Sequence, residues 1–179
     1  MKDHVQKLKE LDACRDGLAF ANKLDTLQEV WDTCARGDWL LWLLGKTATE
    51  ADRKNLVLIA AECARLALPY TKDSRVIACI ETAEKWARGE ATIEQVRTAR
   101  RAAGDAATAA YDISAYADAT ASYAAYGAAA AYGAGASADA YAAGASAAAG
   151  AAAGADARAK TSKQCADIVR KYYPQAPVL

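Results

Sequence analysis

The sequence predicts an all-α protein in which an N-terminal bundle of short helices, residues 1–101, leads into a long alanine-rich helical hairpin, residues 102–179, packed on it. Three observations predict this. Prolines number three, Pro69, Pro174 and Pro177, and two of them fall in the last few residues, so little in the chain breaks a helix. The alternating Val, Thr and Tyr pattern of half-buried strands is scarce. Helix-start signals recur along the chain, each followed by an apolar run at helical spacing.

The first helix is expected from about Val5 to Leu24. Thr26-Leu27-Gln28-Glu29 has the form of a capping box, the Thr26 hydroxyl taking the Glu29 amide while Glu29 reaches back. The helix it opens should stop near Arg36-Gly37. Asp38 is positioned to cap a short helix from Trp39 to Leu44 that Gly45 closes. A further helix begins near Thr49 or Asp52 and stops at Pro69. Its run Leu56 to Ala61 is apolar on nearly every side and belongs at the centre of the core. Ser74 to Arg88 reads as a helix ended by Gly89, and Thr92 with Gln95 forms a second capping box.

From about Ala102 to Lys160 roughly half the residues are alanine, with Gly, Ser, Tyr and Asp between them. Alanine is the best helix former, and neither proline nor charge blocks interrupt the tract. Gly127, Gly133 and Gly135 suggest a turn between two helical arms. Gly144, Gly150 and Gly154 suggest close approach of a second helix. Tyr111, Tyr116, Tyr123, Tyr126, Tyr132 and Tyr141 stud the tract without forming a single stripe.

Composition narrows the function. The chain has 179 residues, 22 basic and 22 acidic side chains and no net charge, so neither a nucleic acid polymer nor an anionic membrane surface is expected as partner. The hydrophobic fraction is 54%, but alanine supplies much of it and little buried area per residue. The opening MKDHVQKLKELDACRDG has no apolar signal-type run, and Leu56 to Ala61 is too short to span a bilayer. Five scattered cysteines, Cys14, Cys34, Cys63, Cys79 and Cys165, give neither a zinc pattern nor a disulfide framework. A reduced, cytoplasmic protein is the expectation, with Cys14, Cys34, Cys63 and Cys79 on apolar helix faces as small buried hydrophobes.

Catalytic chemistry is hard to assemble. The only histidine, His4, lies near an end expected to fray, which leaves a His-based triad or general base without its base. Metal ligands do not cluster, no glycine-rich phosphate loop follows a strand, and no cofactor is expected. Glu81 and Glu84 are placed to pair with Lys85 and Arg88 on their own helix. The expectation is a protein that binds rather than turns over a substrate. Trp31, Trp39, Trp42 and Trp86 either fill the core around the Leu56–Leu68 helix or, one or two of them, line a partner surface, since Trp and Arg dominate interface hot spots. The binding reading singles out Trp31, Asp32, Arg36, Asp38 and Trp39 at one helix break and Trp86, Arg88 and Glu90 at another.

Several blocks of the sequence resemble one family. These are Asp12-Ala13-Cys14-Arg15-Asp16-Gly17, Cys34-Ala35-Arg36-Gly37-Asp38-Trp39-Leu40-Leu41-Trp42, Cys63-Ala64-Arg65-Leu66-Ala67-Leu68-Pro69, Ile80 to Thr92, and Cys165-Ala166-Asp167-Ile168-Val169-Arg170. Together with the alanine tract they look like the Imm-five-like immunity proteins of bacterial polymorphic toxin systems and phages, over nearly the whole chain. The resemblance implies an all-α fold and neutralisation of a cognate toxin by stoichiometric binding, and it brings no catalytic or ligand motif. The alternative is a helical protein that sequesters a small ligand such as a nucleotide signal in phage–host conflict, with aromatic rings stacking bases and Arg53, Arg65, Arg75 or Arg88 holding phosphates. A homo-oligomer is compatible with either.

Overall fold

The first helix breaks where the sequence suggests continuity. In a computed structural model, which describes residues 2–112, 147–148, 151 and 155–179, α1 spans Asp3–Glu10 and α2 spans Arg15–Ala21. Asp12 between them takes a left-handed backbone, φ 66°. The Ala13 amide donates to the Leu8 carbonyl and the Asp12 amide to that of Lys9, each at 3.0 Å. This double closure is the Schellman C-cap, with Asp12 in the position that usually holds glycine. The Cys14 sulfur then caps α2 by accepting from the Gly17 amide at 3.4 Å. His4 is buried, its Nε2 3.2 Å from the Ala21 carbonyl oxygen, so the end expected to fray is tied to α2.

The later elements begin near their local signals, but several ends differ. Helix α3, Leu27–Thr33, opens on the Thr26/Glu29 capping box, both halves of which are formed, and stops at Thr33, short of Arg36-Gly37. Helix α4 spans Gly37–Thr47. Gly45 lies inside it rather than at its end, and Asp38 sits in the first turn rather than at the cap, because the Asp38 carboxylate is taken by Arg36. A short 3-10 turn, Glu50–Asp52, leads into α5, Arg53–Arg65. A second 3-10 turn, Leu68–Tyr70, holds Pro69. Helix α6, Ser74–Arg88, ends on Gly89 at φ 82°, where glycine is nearly free of the left-handed penalty. The Thr92/Gln95 box opens α7, Ile93–Asp112, which runs unbroken across residue 101. Helix α8 spans Ala155–Tyr172. The described residues are all-α, with no strand among them.

The core centres on α5. Leu56, Val57, Ile59, Ala60, Ala61, Cys63 and Ala64 are all buried, so this helix is covered on nearly every side, with Leu58 half-buried. Helix α6 packs on it through Val76, Cys79, Ile80, Ala83 and Ala87, an i, i+3, i+4 stripe, and α7 packs on α6. On the other side α8 packs on both α4 and α5 through Cys165, Ala166 and Val169.

The segment after α8 lies back over α1 and α3. Trp31 Nε1 donates to the Tyr173 carbonyl at 2.9 Å, the Ala176 amide donates to Gln28 Oε1 at 2.9 Å, and Lys7 Nζ donates to the Leu179 backbone oxygen at 3.0 Å. Arg170 donates from Nε to the Trp31 carbonyl at 2.8 Å and from Nη2 to the Cys34 carbonyl, which satisfies the C-terminal carbonyls of α3. The expected turn at Gly127, Gly133 and Gly135, the close approach at Gly144, Gly150 and Gly154, and the tyrosines from Tyr116 to Tyr141 lie outside the described residues.

Candidate functional site: an apolar pocket beneath α4

The break between α1 and α2 leaves an opening. The α1–α2 turn, α2, α3 and the first half of α4 enclose a pocket of about 310 Å³. Leu27, Val30, Trp31 and Cys34 of α3 and Leu40 and Leu43 of α4 line it, with Phe20 of α2 and Leu8 of α1. Trp39 and Trp42, one helical turn apart on α4, complete the wall. Asp12, Ala13, Cys14 and Gly17 border it from the α1–α2 turn and the start of α2.

Arg36, Asp38 and Trp39 form one unit at the rim. Arg36 Nε and Nη2 donate to the two Asp38 carboxylate oxygens at 2.8 and 2.5 Å. The same guanidinium lies 4.5 Å from the Trp39 ring centroid, a cation–π stack that a planar group can make while paired. Phe20 meets Trp39 with centroids 6.2 Å apart and ring planes inclined at 56°. Lys46 Nζ lies 5.4 Å from the Trp42 centroid. Neither Trp39 nor Trp42 donates an indole hydrogen bond within the described residues, in contrast to Trp31.

The two groups of residues singled out in the sequence stand on different elements. Arg36, Asp38 and Trp39 are together at the pocket. Trp31 is a pocket wall but wholly buried, so it serves as floor and core at once. Asp32 is exposed and accepts from Gln28 Nε2 at 2.8 Å. Trp86 is half-buried against the core, and Arg88 pairs with Glu90 at 3.2 Å beyond the end of α6. None of Trp86, Arg88 and Glu90 lines the pocket, since α6 packs on α5 and α7.

Sequence reading missed Asp12, Cys14, Phe20, Leu27 and Val30 as pocket residues. The available signal was the pair of cap residues Asp12 and Cys14, hidden by an apolar spacing that continues across the break. The Glu84 pairing also differs from expectation. Glu84 accepts from Arg65 of α5 through both oxygens, at 2.6 and 2.8 Å, and so cross-links two helices instead of pairing along its own. Arg53 pairs with Glu50 and Arg75 with Asp73, so all four arginines assigned to phosphates on the nucleotide reading hold a carboxylate.

The cysteines divide by exposure. All five are free; Cys14 is exposed, correcting its expected burial, and the other four are buried. Its cause is the cap role, which keeps the Cys14 sulfur at the α2 end. Burial pushes the Cys34 thiol up and Cys79 up to about 12, while a hydrogen bond with Cys165, and burial after it, raise Cys63 well above the ordinary value. Iodoacetamide at about pH 8 should therefore modify one thiol in the native protein and five after denaturation. Mass spectrometry that finds more than one label on the native chain contradicts this burial. The pH dependence follows in sign. Below the ordinary thiol value of 9.0 these groups are neutral folded or unfolded and stability is flat; above it only the unfolded chain ionises, so stability falls as pH climbs toward about 12.

Among the described residues no three of His, Cys, Asp and Glu converge as metal ligands, and no helix is long and apolar enough to cross a membrane. No protein-family model, curated protein or solved structure matches the chain. The resemblance to the Imm-five-like immunity proteins therefore stands on the quoted residues alone.

Proposed function

We propose that this protein neutralises a cognate toxin by stoichiometric binding in the cytoplasm, with the α4 rim as its contact surface and no turnover. The observation that supports the reading is the pocket beside Trp39. It is an open apolar socket bordered by two half-buried tryptophans whose indole N–H groups bond nothing else among the described residues. Arg36 and Asp38 stand beside it as a charged rim. An aromatic anchor and socket within a polar rim is the arrangement of an interface hot spot. Four buried free thiols also suit a reducing compartment.

The test is co-expression with each toxin domain that a survey of the neighbouring genes finds. Growth should be rescued only when the protein is at least equimolar to the toxin, and the two should co-elute at a fixed ratio. Trp39→Ala should weaken the complex by about 2 kcal/mol or more, the scale of a hot spot, with an unchanged circular dichroism spectrum. Rescue at catalytic amounts of the protein, or full affinity in folded Trp39→Ala, would sink the reading.

A further inference from the structure

We propose that the α1–α4 pocket is also a small-molecule site, and that its ligand is an arylalkylamine: a planar aromatic body carrying a protonated amine on a short linker. The proposal goes beyond toxin binding and does not depend on it. The cavity of about 310 Å³ is at the small end of the range that ligand sites occupy, roughly 300–1,000 Å³. Its walls are aromatic and aliphatic side chains, Phe20, Trp39 and Trp42 among them, which favours a ring over a sugar or a phosphate.

Charge decides the rest of the ligand. Asp12 and Asp38 are the only charged side chains that line the pocket. The Asp38 carboxylate is already neutralised by the two-point pair with Arg36. On α2, Arg15 and Asp16 pair with each other at 3.7 Å in solvent. On α3, Asp32 bonds Gln28. Asp12, an exposed residue, is the one charged lining residue with no ion pair or side-chain hydrogen bond among the described residues. Lys46 at the Trp42 ring is not among the lining residues, so the lining itself carries one uncompensated negative charge. An anionic ligand would meet repulsion there and a cation attraction.

The residue that carries that charge has a constrained backbone. Asp12 stands at φ 66°, a conformation in which glycine is the usual residue and Asp or Asn the tolerated ones. The two 3.0 Å Schellman bonds hold the turn, so the backbone of Asp12 is kept among the residues that line the pocket.

The test is isothermal titration of the full chain with three indoles of nearly equal shape: tryptamine as the cation, indole-3-ethanol as the neutral form and indole-3-acetate as the anion. Tryptamine should bind at least tenfold more tightly than indole-3-acetate, with indole-3-ethanol between. Asp12→Asn, whose side chain tolerates the same φ, should bring tryptamine within about twofold of indole-3-ethanol. Leu27→Trp, which fills the cavity from the start of α3, should abolish all three heats in a protein whose circular dichroism is unchanged. No binding by the wild-type protein at millimolar tryptamine overturns the site. Equal affinity for the three, a preference for the anion, or an undiminished preference for the cation in Asp12→Asn overturns the ligand class. Binding that survives in folded Leu27→Trp places the ligand elsewhere and overturns the pocket. The toxin reading is decided by its own rescue experiment whichever way these titrations fall.

Discussion

Replacing Trp31 by alanine is expected to destabilise the fold by about 4 kcal/mol, the usual cost of removing a buried Trp side chain. Trp31 is wholly buried and is among the largest side chains in the core. Its loss would join a new void to the existing pocket, because the ring is one of the pocket walls. It would also strip the Tyr173 carbonyl of its 2.9 Å donor, which loosens the segment after α8 from α3. For a domain of this size about 4 kcal/mol corresponds to a fall in Tm of about 8–16 °C. Trp31→Phe keeps most of the bulk and loses the N–H donor, so it should cost about 1–2 kcal/mol. A thermal melt that leaves Trp31→Ala within a degree of the wild type would mean that this ring faces a partner and not the core.

Trp31 and Trp39 show what sequence could and could not separate. Both stand beside charged residues near the same helix break, and composition alone assigns them one role. What separates them is the side of the chain that α8 and the following residues cover. Arg170 and Tyr173 close over Trp31, from a stretch well over a hundred residues away, while Trp39 stays at the rim with Arg36 on its face. Signals within a few residues were legible. The Thr26/Glu29 and Thr92/Gln95 boxes, the Gly89 stop of α6, and the apolar run of α5 each rest on hydrogen bonds or burial that local pattern determines. Asp12 was not legible because its neighbours keep helical spacing on both sides of the break, and only the paired Leu8 and Lys9 carbonyls reveal the turn. Glu84 escaped for the opposite reason, since Lys85 and Arg88 are near in sequence while Arg65 is nearer in space. The pocket needed all of this at once: a broken first helix, α3 against it, and α4 laid across the top.

Gly37→Ala is expected to destabilise the protein by about 3 kcal/mol, against the rule that alanine improves a helix by about 1 kcal/mol over glycine. Gly37 is the first residue of α4 and is buried against α8. A Cβ added there would lie 2.4 Å from the Cys165 Cβ and 2.7 Å from both the Cys165 carbonyl carbon and the Ala166 nitrogen. These are backbone or backbone-adjacent atoms, so no rotamer change relieves the clash and the two helices must separate. Separation disturbs the contacts that Cys165 makes with α5, where the Cys63 thiol lies 3.9 Å from the Cys165 carbonyl oxygen, and it strains the Arg170 bridge to the end of α3. It also tilts the start of α4, which carries Asp38 and Trp39 at the pocket rim. Gly89→Ala serves as the control. That glycine has nothing within 4 Å of the added carbon and only its φ of 82° to resist it, so its cost should stay near 1–2 kcal/mol. Urea titrations of the two variants should therefore separate close packing from backbone conformation. Gly37→Ala should lose more than Gly89→Ala and should make the buried thiol of Cys165 reactive to iodoacetamide at lower urea than in the wild type. A Gly37→Ala midpoint at or above that of the wild type would mean that α4 does not rest on the α8 backbone, and the site built on that seating would lose its support.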